Sequence, residues 1–314
     1  MMPPLSLKMA TGDYGHTRPL KDGTVTSEQV AFEHVQVPNI INAFRRMIRD
    51  LEFDVSEMAL STYLCARAHG VPITALPVFL VRALHHGSIV YNVKSGIRTP
   101  ADLHGRRVGV RAYTVTTGVW NRGILQSEYG VNLDQVTWVI NSDEHVAEYQ
   151  APPNVESAPF DRSLADLLSD GEIDAAIGVA PSAEAGFAPL VPNARDAAIS
   201  WLQATGVYPI NHTLVVRNEH LAANPGLAVE LFDLFKQAKE HFLPTLDTAA
   251  NFENEDRRAK DMHGVLQGDP LPFGVEANRA SLETFIGFTV DQQIIPEAIR
   301  PDEAFEPSTR ELEG

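Results

Sequence analysis

Apolar residues along this chain fall into short runs, separated by stretches with helical spacing. Residues 5–11 read as a first strand, followed by a polar, glycine-containing loop over residues 12–17. Residues 30–37 read as a second strand. Over residues 39–51 the apolar positions Ile40, Ile41, Phe44, Met47, Ile48 and Leu51 share one helix face, with Arg45, Arg46 and Arg49 opposite. Residues 53–55 suggest a brief strand, and Ser56 is placed to cap a helix running through residues 60–68. Residues 73–80 and 88–93 are apolar runs suited to buried strands.

A second unit begins near Thr99. Residues 99–110 predict a helical turn, a tight connection and a buried strand, and a helix follows over residues 116–129. Residues 136–140 read as a strand, and residues 141–160, rich in Pro, Asn and acidic side chains, as a loop. A helix over residues 163–169 and a strand over residues 174–179 complete this unit. From about Tyr208 the chain returns to the first unit, with a strand at 212–217 and helices at 225–242 and 277–291. Lobe 1 is therefore expected to comprise residues 1–94 and 208–314, and lobe 2 residues 95–207. The alternation of strands and helices predicts an α/β protein with mostly parallel sheets.

Composition narrows the function classes. Of 314 residues, 44% are hydrophobic and 21% charged, the balance of a folded globular protein. A formal charge of −16 argues against a nucleic-acid partner, which needs a basic face. No window approaches the roughly 18 apolar residues of a membrane span, so no membrane partner is expected. The N-terminal residues lack a cationic start followed by an apolar core, which predicts a cytoplasmic protein. The single cysteine, Cys65, lies in an apolar stretch and reads as a buried filler. No dinucleotide fingerprint, phosphate loop, nucleophile elbow or zinc-protease motif is present, and no spacing demands a metal. Neither cofactor nor metal is expected, and homo-oligomerisation is left open.

Eight blocks, in order, carry a resemblance. They are GlyAspTyrGlyHisThrArgProLeu (12–20), GluPheAspValSerGluMetAlaLeuSer (52–61), AlaLeuProValPhe (75–79) and SerGlyIleArgThrProAlaAspLeuHisGlyArgArgValGlyVal (95–110) in the first part. ValTrpAsnArgGlyIleLeuGlnSerGluTyrGlyVal (119–131), AspGlyGluIleAspAlaAlaIleGly (170–178), TyrProIleAsnHisThrLeuValValArg (208–217) and ProLeuProPheGlyValGluAlaAsnArgAlaSerLeuGluThrPhe (270–285) follow. Together they resemble the 4,5-dihydroxyphthalate decarboxylase family over nearly the whole chain. The blocks at 95–110 and 170–178 are common among type 2 solute-binding proteins. The resemblance thus implies a two-lobed type 2 periplasmic-binding-protein-like fold, with a cleft between the lobes. The chain departs from the family at Gly15 and His16, at the paired His85 and His86, and in the loop before residue 119.

The implied reaction is cofactor-independent loss of CO2 from a hydroxylated aromatic acid, and the implied partner is a small aromatic carboxylate. Such chemistry needs a proton donor for the ring carbon, a partner for the phenol oxygens and a cation for a carboxylate that stays. Arg18, following His16 and Thr17 after the first strand, stands where a ligand-facing cation is expected, or is an incidental surface arginine. Arg82 offers a second cation. His85 and His86 are adjacent, so on a strand only one would face the ligand. His212 precedes a strand and is a candidate proton donor. Glu57, at an expected strand-to-helix turn, either acts as base, orients a histidine or simply favours a helix dipole. Thr114, Thr116 and Thr117 stand at a helix N-terminus suited to a carboxylate, or simply cap the helix, and Tyr113 reaches a phenol oxygen, stacks on a ring or only packs. The rival function is a non-catalytic binding protein of the solute-binding type.

Overall fold

In a computed structural model, which describes residues 3–314, the apolar runs become two separate sheets. In chain order the strands are β1 (Leu5–Ala10), β2 (Val30–His34), β3 (Val55–Ala59), β4 (Ile73–Arg82), β5 (Ile89–Asn92) and β6 (Arg107–Val110). They continue with β7 (Thr137–Ile140), β8 (Val155–Ser157), β9 (Ala175–Ile177), β10 (Phe187–Pro189) and β11 (Ile210–Arg217). One sheet has the order β2-β1-β3-β11-β4 and the other β10-β5-β9-β6-β7-β8. Pairing is parallel from β2 to β3 and from β9 to β8, while β11 and β5 run antiparallel to both of their neighbours.

The helices that matter for the site are α1 (Arg18–Lys21), α2 (Ile41–Asp50), α3 (Leu60–Ala68) and α4 (Thr116–Tyr129). α2 buries Ala43, Phe44, Met47 and Ile48 and ends where Leu51 turns left-handed at φ 48°. The predicted stripe was right at its centre, but Ile41 at the first turn is exposed. Ser56 caps nothing: it lies inside β3, and α3 begins four residues later. The helices over residues 60–68 and 116–129 match the expected bounds. Cys65 is fully buried in α3.

The chain divides into two units. Unit 1 comprises Met1–Ala83, Ile210–Leu282 and Ile299–Gly314, and unit 2 comprises Leu84–Pro209 and Glu283–Ala298. Two boundaries differ from expectation. β5 belongs to unit 2 and not to lobe 1, because it pairs with β9 and β10 in the second sheet. Residues 283–298 also join unit 2, where Phe285 and Phe288 pack on Trp120 at ring separations of 4.7 and 5.8 Å.

The core of unit 1 lies between its sheet and the helix Leu227–Phe242, and includes Leu7, Met9, Leu76, Leu214, Leu231 and Phe235. A smaller cluster around Val139, Leu168, Ile173 and Phe187 fills unit 2. No helix among the described residues is long and apolar enough to cross a membrane.

Truncating a buried aromatic removes its transfer free energy and leaves a void. Phe235→Ala, at 0% exposure, is expected to cost about 3–5 kcal/mol in urea unfolding. Phe160→Ala, at 56% exposure, should stay within about 0.5 kcal/mol of the parent.

Candidate active site

In unit 1, two strands and a loop converge on one carboxylate. β3 and β11 pair with Leu214 opposite Glu57 and His212 opposite Ala59. Glu57 and His212 are therefore diagonal neighbours on one sheet face, close enough for long side chains to meet. Glu57 is completely buried, and His212 Nδ1 lies 2.6 Å from its Oε1. The Tyr14 hydroxyl donates to the same oxygen at 2.8 Å, and the Gly12 backbone N–H donates to Oε2 at 2.7 Å. Gly12 must lack a side chain, because a Cβ there would lie 2.1 Å from the Tyr14 ring. Glu57 itself sits mid-strand and not at the expected turn.

Charge follows from these contacts. Burial pushes the Glu57 carboxyl upward, but hydrogen bonds from His212, Gly12 and Tyr14, with the His212 charge, outweigh burial and hold it below its ordinary value. Burial, and then Glu57, push the Tyr14 phenol far up, so it stays a donor. Against an ionised Glu57, His212 Nδ1 is the donor, which leaves Nε2 as the nitrogen that exchanges a proton. The His212 side chain keeps 16% exposure, with the Phe44 ring edge-on at 5.0 Å. The arrangement can hold, orient and release a proton at Nε2.

The loop before α1 carries three more of the predicted residues. The buried Thr17 hydroxyl donates to the Gly12 and Tyr14 carbonyls at 2.8 and 3.1 Å, and accepts from the Tyr14 N–H at 3.0 Å. It staples the loop. His16 is buried, with its ring stacked on Tyr14 at 5.3 Å and tilted against Phe242 at 6.0 Å. Neither ring nitrogen reaches hydrogen-bond geometry. Burial pulls His16 down to about 4, against opposing pulls from Asp256 and Glu57. Arg18 is half exposed, with its guanidinium 2.8 Å from Asp256 and 3.5 Å from Asp13. Asp256 also accepts from the Gly15 N–H at 2.7 Å. A cavity of about 740 Å³ borders Arg18, His241, Phe242 and Asp256, but is lined by neither Glu57 nor His212. Arg82, at the end of β4, is buried and donates to the Pro272 carbonyl at 3.0 Å and to the Asn278 side chain.

The remaining candidates lie in unit 2. His85 and His86 occupy the turn between β4 and β5, not a strand, and both are buried. His85 stacks on Trp120 at 6.4 Å, and His86 tilts against Trp201 at 5.6 Å. Desolvation pulls His86 down to about 4, so it is neutral near pH 7. Thr116 is the buried first residue of α4, and the carbonyl of the half-buried Thr117 accepts from Asn121. The Thr114 N–H, where a substrate carboxylate was expected, bonds to Glu144, and so does the N–H of Tyr113.

The structure thus brings Glu57 and His212 together, gathers His16, Thr17 and Arg18 in the adjoining loop, and places Tyr113, Thr114, Thr116 and Thr117 at the start of α4. Sequence reasoning missed Tyr14, Asp256 and Glu144. Tyr14 left one signal, a tyrosine between Gly12-Asp13 and Gly15. Among the described residues no three His, Cys, Asp or Glu side chains gather as a metal-ligand set.

Comparison with known proteins places the chain. It is 33% identical to a 4,5-dihydroxyphthalate decarboxylase of Comamonas testosteroni, over 99% of both chains. The chain belongs to the 4,5-dihydroxyphthalate decarboxylase family. A second member of that family, from Pseudomonas putida, is 38% identical over 57% of this chain and 72% of its own. The family described as NMT1/THI5 like matches residues 51–152. Among solved structures, the alkanesulfonate-binding protein SsuA of Xanthomonas axonopodis pv. citri, bound to MOPS, superposes with a TM-score of 0.51. It is 14% identical and covers 98% of this chain and 99% of its own. That likeness shows the fold, the α/β arrangement of solute-binding proteins, which this family member shares.

His16 gives the family member a pH signature. Its folded pKa of about 4 lies below the ordinary 6.5, so between these values the unfolded chain binds a proton that the folded chain does not. Its contribution to stability is complete above pH 6.5 and is lost as pH falls toward 4. The loss amounts to about 3 kcal/mol. Unfolding free energies of wild type and His16→Asn, compared across that window, should show a shallower decline in the variant.

Proposed function

We propose that this protein removes one carboxyl group as CO2 from a hydroxylated aromatic dicarboxylic acid of the 4,5-dihydroxyphthalate type, giving protocatechuate. In that step a C–H bond forms at the ring carbon as its bond to the carboxylate breaks. The electron pair comes from the ring, pushed by the phenol oxygen para to that carbon. One proton is consumed for each CO2 released, and the ring is its own electron sink, so the step asks for no cofactor.

The observation that supports this reading is the 2.6 Å contact between Glu57 and His212, in a member of a decarboxylase family. His212, protonated, gives its Nε2 proton to the ring carbon. Glu57 fixes the imidazole through Nδ1 and holds its orientation for the transfer. Tyr14 and the Gly12 N–H hold Glu57 in place, and the partial exposure of the His212 side chain allows solvent to return the proton. Arg18 and Arg82 already have partners within unit 1, so recognition of the carboxylate that stays falls to other donors.

Purified protein incubated with 4,5-dihydroxyphthalate should release CO2 and protocatechuate in equal amounts. Binding without product would favour a solute-binding role. His212→Asn and Glu57→Gln should each lower kcat by about 10²- to 10⁴-fold, the usual value of a positioned acid–base group, with little change in KM. Parental kinetics in His212→Asn would remove this histidine from proton delivery.

A further inference from the structure

On unit 2, the segment just ahead of α4 directs three donors at a single carboxylate. Glu144, from the loop between β7 and β8, receives the Tyr113 N–H on Oε1 at 2.5 Å. Its Oε2 receives the Thr114 N–H at 3.1 Å and the Thr114 hydroxyl at 2.5 Å. This is the geometry of a bound anion, filled by a side chain of the protein itself.

Behind these donors lies Arg122, in α4, at 0% exposure. Its Nε donates to Gln292 at 2.7 Å and its Nη2 to the Tyr113 carbonyl at 2.5 Å. The Tyr113 ring lies 3.9 Å from the guanidinium carbon and the Trp138 ring 5.3 Å. Nη1 has no hydrogen-bond partner and faces the first turn of α4, 3.1 Å from where a Cβ on Gly118 would stand. Every described group that bonds to or stacks on this guanidinium is neutral. Arginine does not lose its proton in proteins, and a buried cation without a counter-charge is costly. Burial pulls the Arg122 guanidinium down, against smaller opposing pulls from Tyr113, Tyr149 and then the Glu144 carboxylate. Arg122 also grips the carbonyl of Tyr113, the residue whose N–H faces Glu144, so the cation both charges and orients the cradle.

Glu144 is the replaceable member of this arrangement. It comes from a long irregular loop, and its residue is part-exposed, whereas Tyr113 and Thr114 are buried in the short turn ahead of α4 and Arg122 is buried within α4. We propose that Tyr113, Thr114 and Arg122 form an exchangeable carboxylate site, which Glu144 fills in the resting protein and a carboxylate of an aromatic acid fills in its place. The decarboxylase reading enters only in naming the ligand class. Glu144 then acts as a tethered competitor, and ligand affinity is reduced by the fraction of time it holds the site.

Phthalate, which has both carboxylates and no phenol to drive decarboxylation, is the probe, measured by calorimetry on the whole protein. Glu144→Ala is expected to bind phthalate about tenfold more tightly than wild type, the gain from vacating a site held about nine-tenths of the time. Unchanged or weaker binding in the folded variant would overturn the proposal, as would absence of phthalate binding by both proteins. Should the variant not fold, a wild-type structure with phthalate decides. A ligand carboxylate on the Tyr113 and Thr114 N–H groups, with Glu144 turned away, supports exchange. Glu144 still in place, with phthalate elsewhere, refutes it. Since calorimetry requires no turnover, failure of CO2 release from 4,5-dihydroxyphthalate is a separate outcome.

Discussion

A carboxylate removed from water must be met by donors, and the whole front of the unit 1 sheet is organised around meeting Glu57. The β3–β11 register brings His212 to it, and the loop after β1 brings Tyr14 and the Gly12 N–H. Those contacts dictate the loop. Gly12 is bare so that Tyr14 can fold back, and Thr17 ties the turn closed from inside. Asp256 pins Gly15 and Arg18 from the outside. The loop these contacts hold supplies two of the three donors to the carboxylate, so the loop and the acid–base pair form one unit of structure.

The sequence made the elements legible where a side chain's environment repeats locally. α3 and α4 have the expected bounds because their apolar content and their flanking Gly70 and Gly130 are local signals. β3 was misread for the opposite reason. Ser56 and Glu57 look like the polar start of a helix, yet both are buried in a strand, and the groups that satisfy Glu57 are 43 to 155 positions away. β5 was assigned to the wrong unit because an apolar run says that a strand is buried and not which strands it pairs with. β8, three residues long with exposed Glu156 and Ser157, has too little apolar content to stand out from the loop around it. For the site, the residue types were readable and the pairing was not. Glu57 and His212 were each plausible alone, and only the antiparallel return of β11 joins them.

Two buried cations show two ways of keeping a charge inside this fold. Lys239 has 1% exposure, bonds to Asp269 and to the Leu271 carbonyl, and lies 4.5 Å from the Phe273 ring centroid. Its charge is neutralised on the spot. Arg122 sits between two aromatic rings, with a carbonyl and an amide as its bonded partners. Its field therefore extends outward to the donors at the start of α4. The first cation serves packing alone, while the second polarises a place that a carboxylate already occupies.

β11 lies between β3 and β4 although it is made long after both of them. During translation the first four strands emerge without the strand that separates two of them, and Glu57 has no imidazole to receive. The acid–base pair cannot exist in any nascent chain that ends before Ile210–Arg217 has left the ribosome. The pair is in this way absent until most of the chain has been synthesised, and its formation waits on the same strand that completes the sheet.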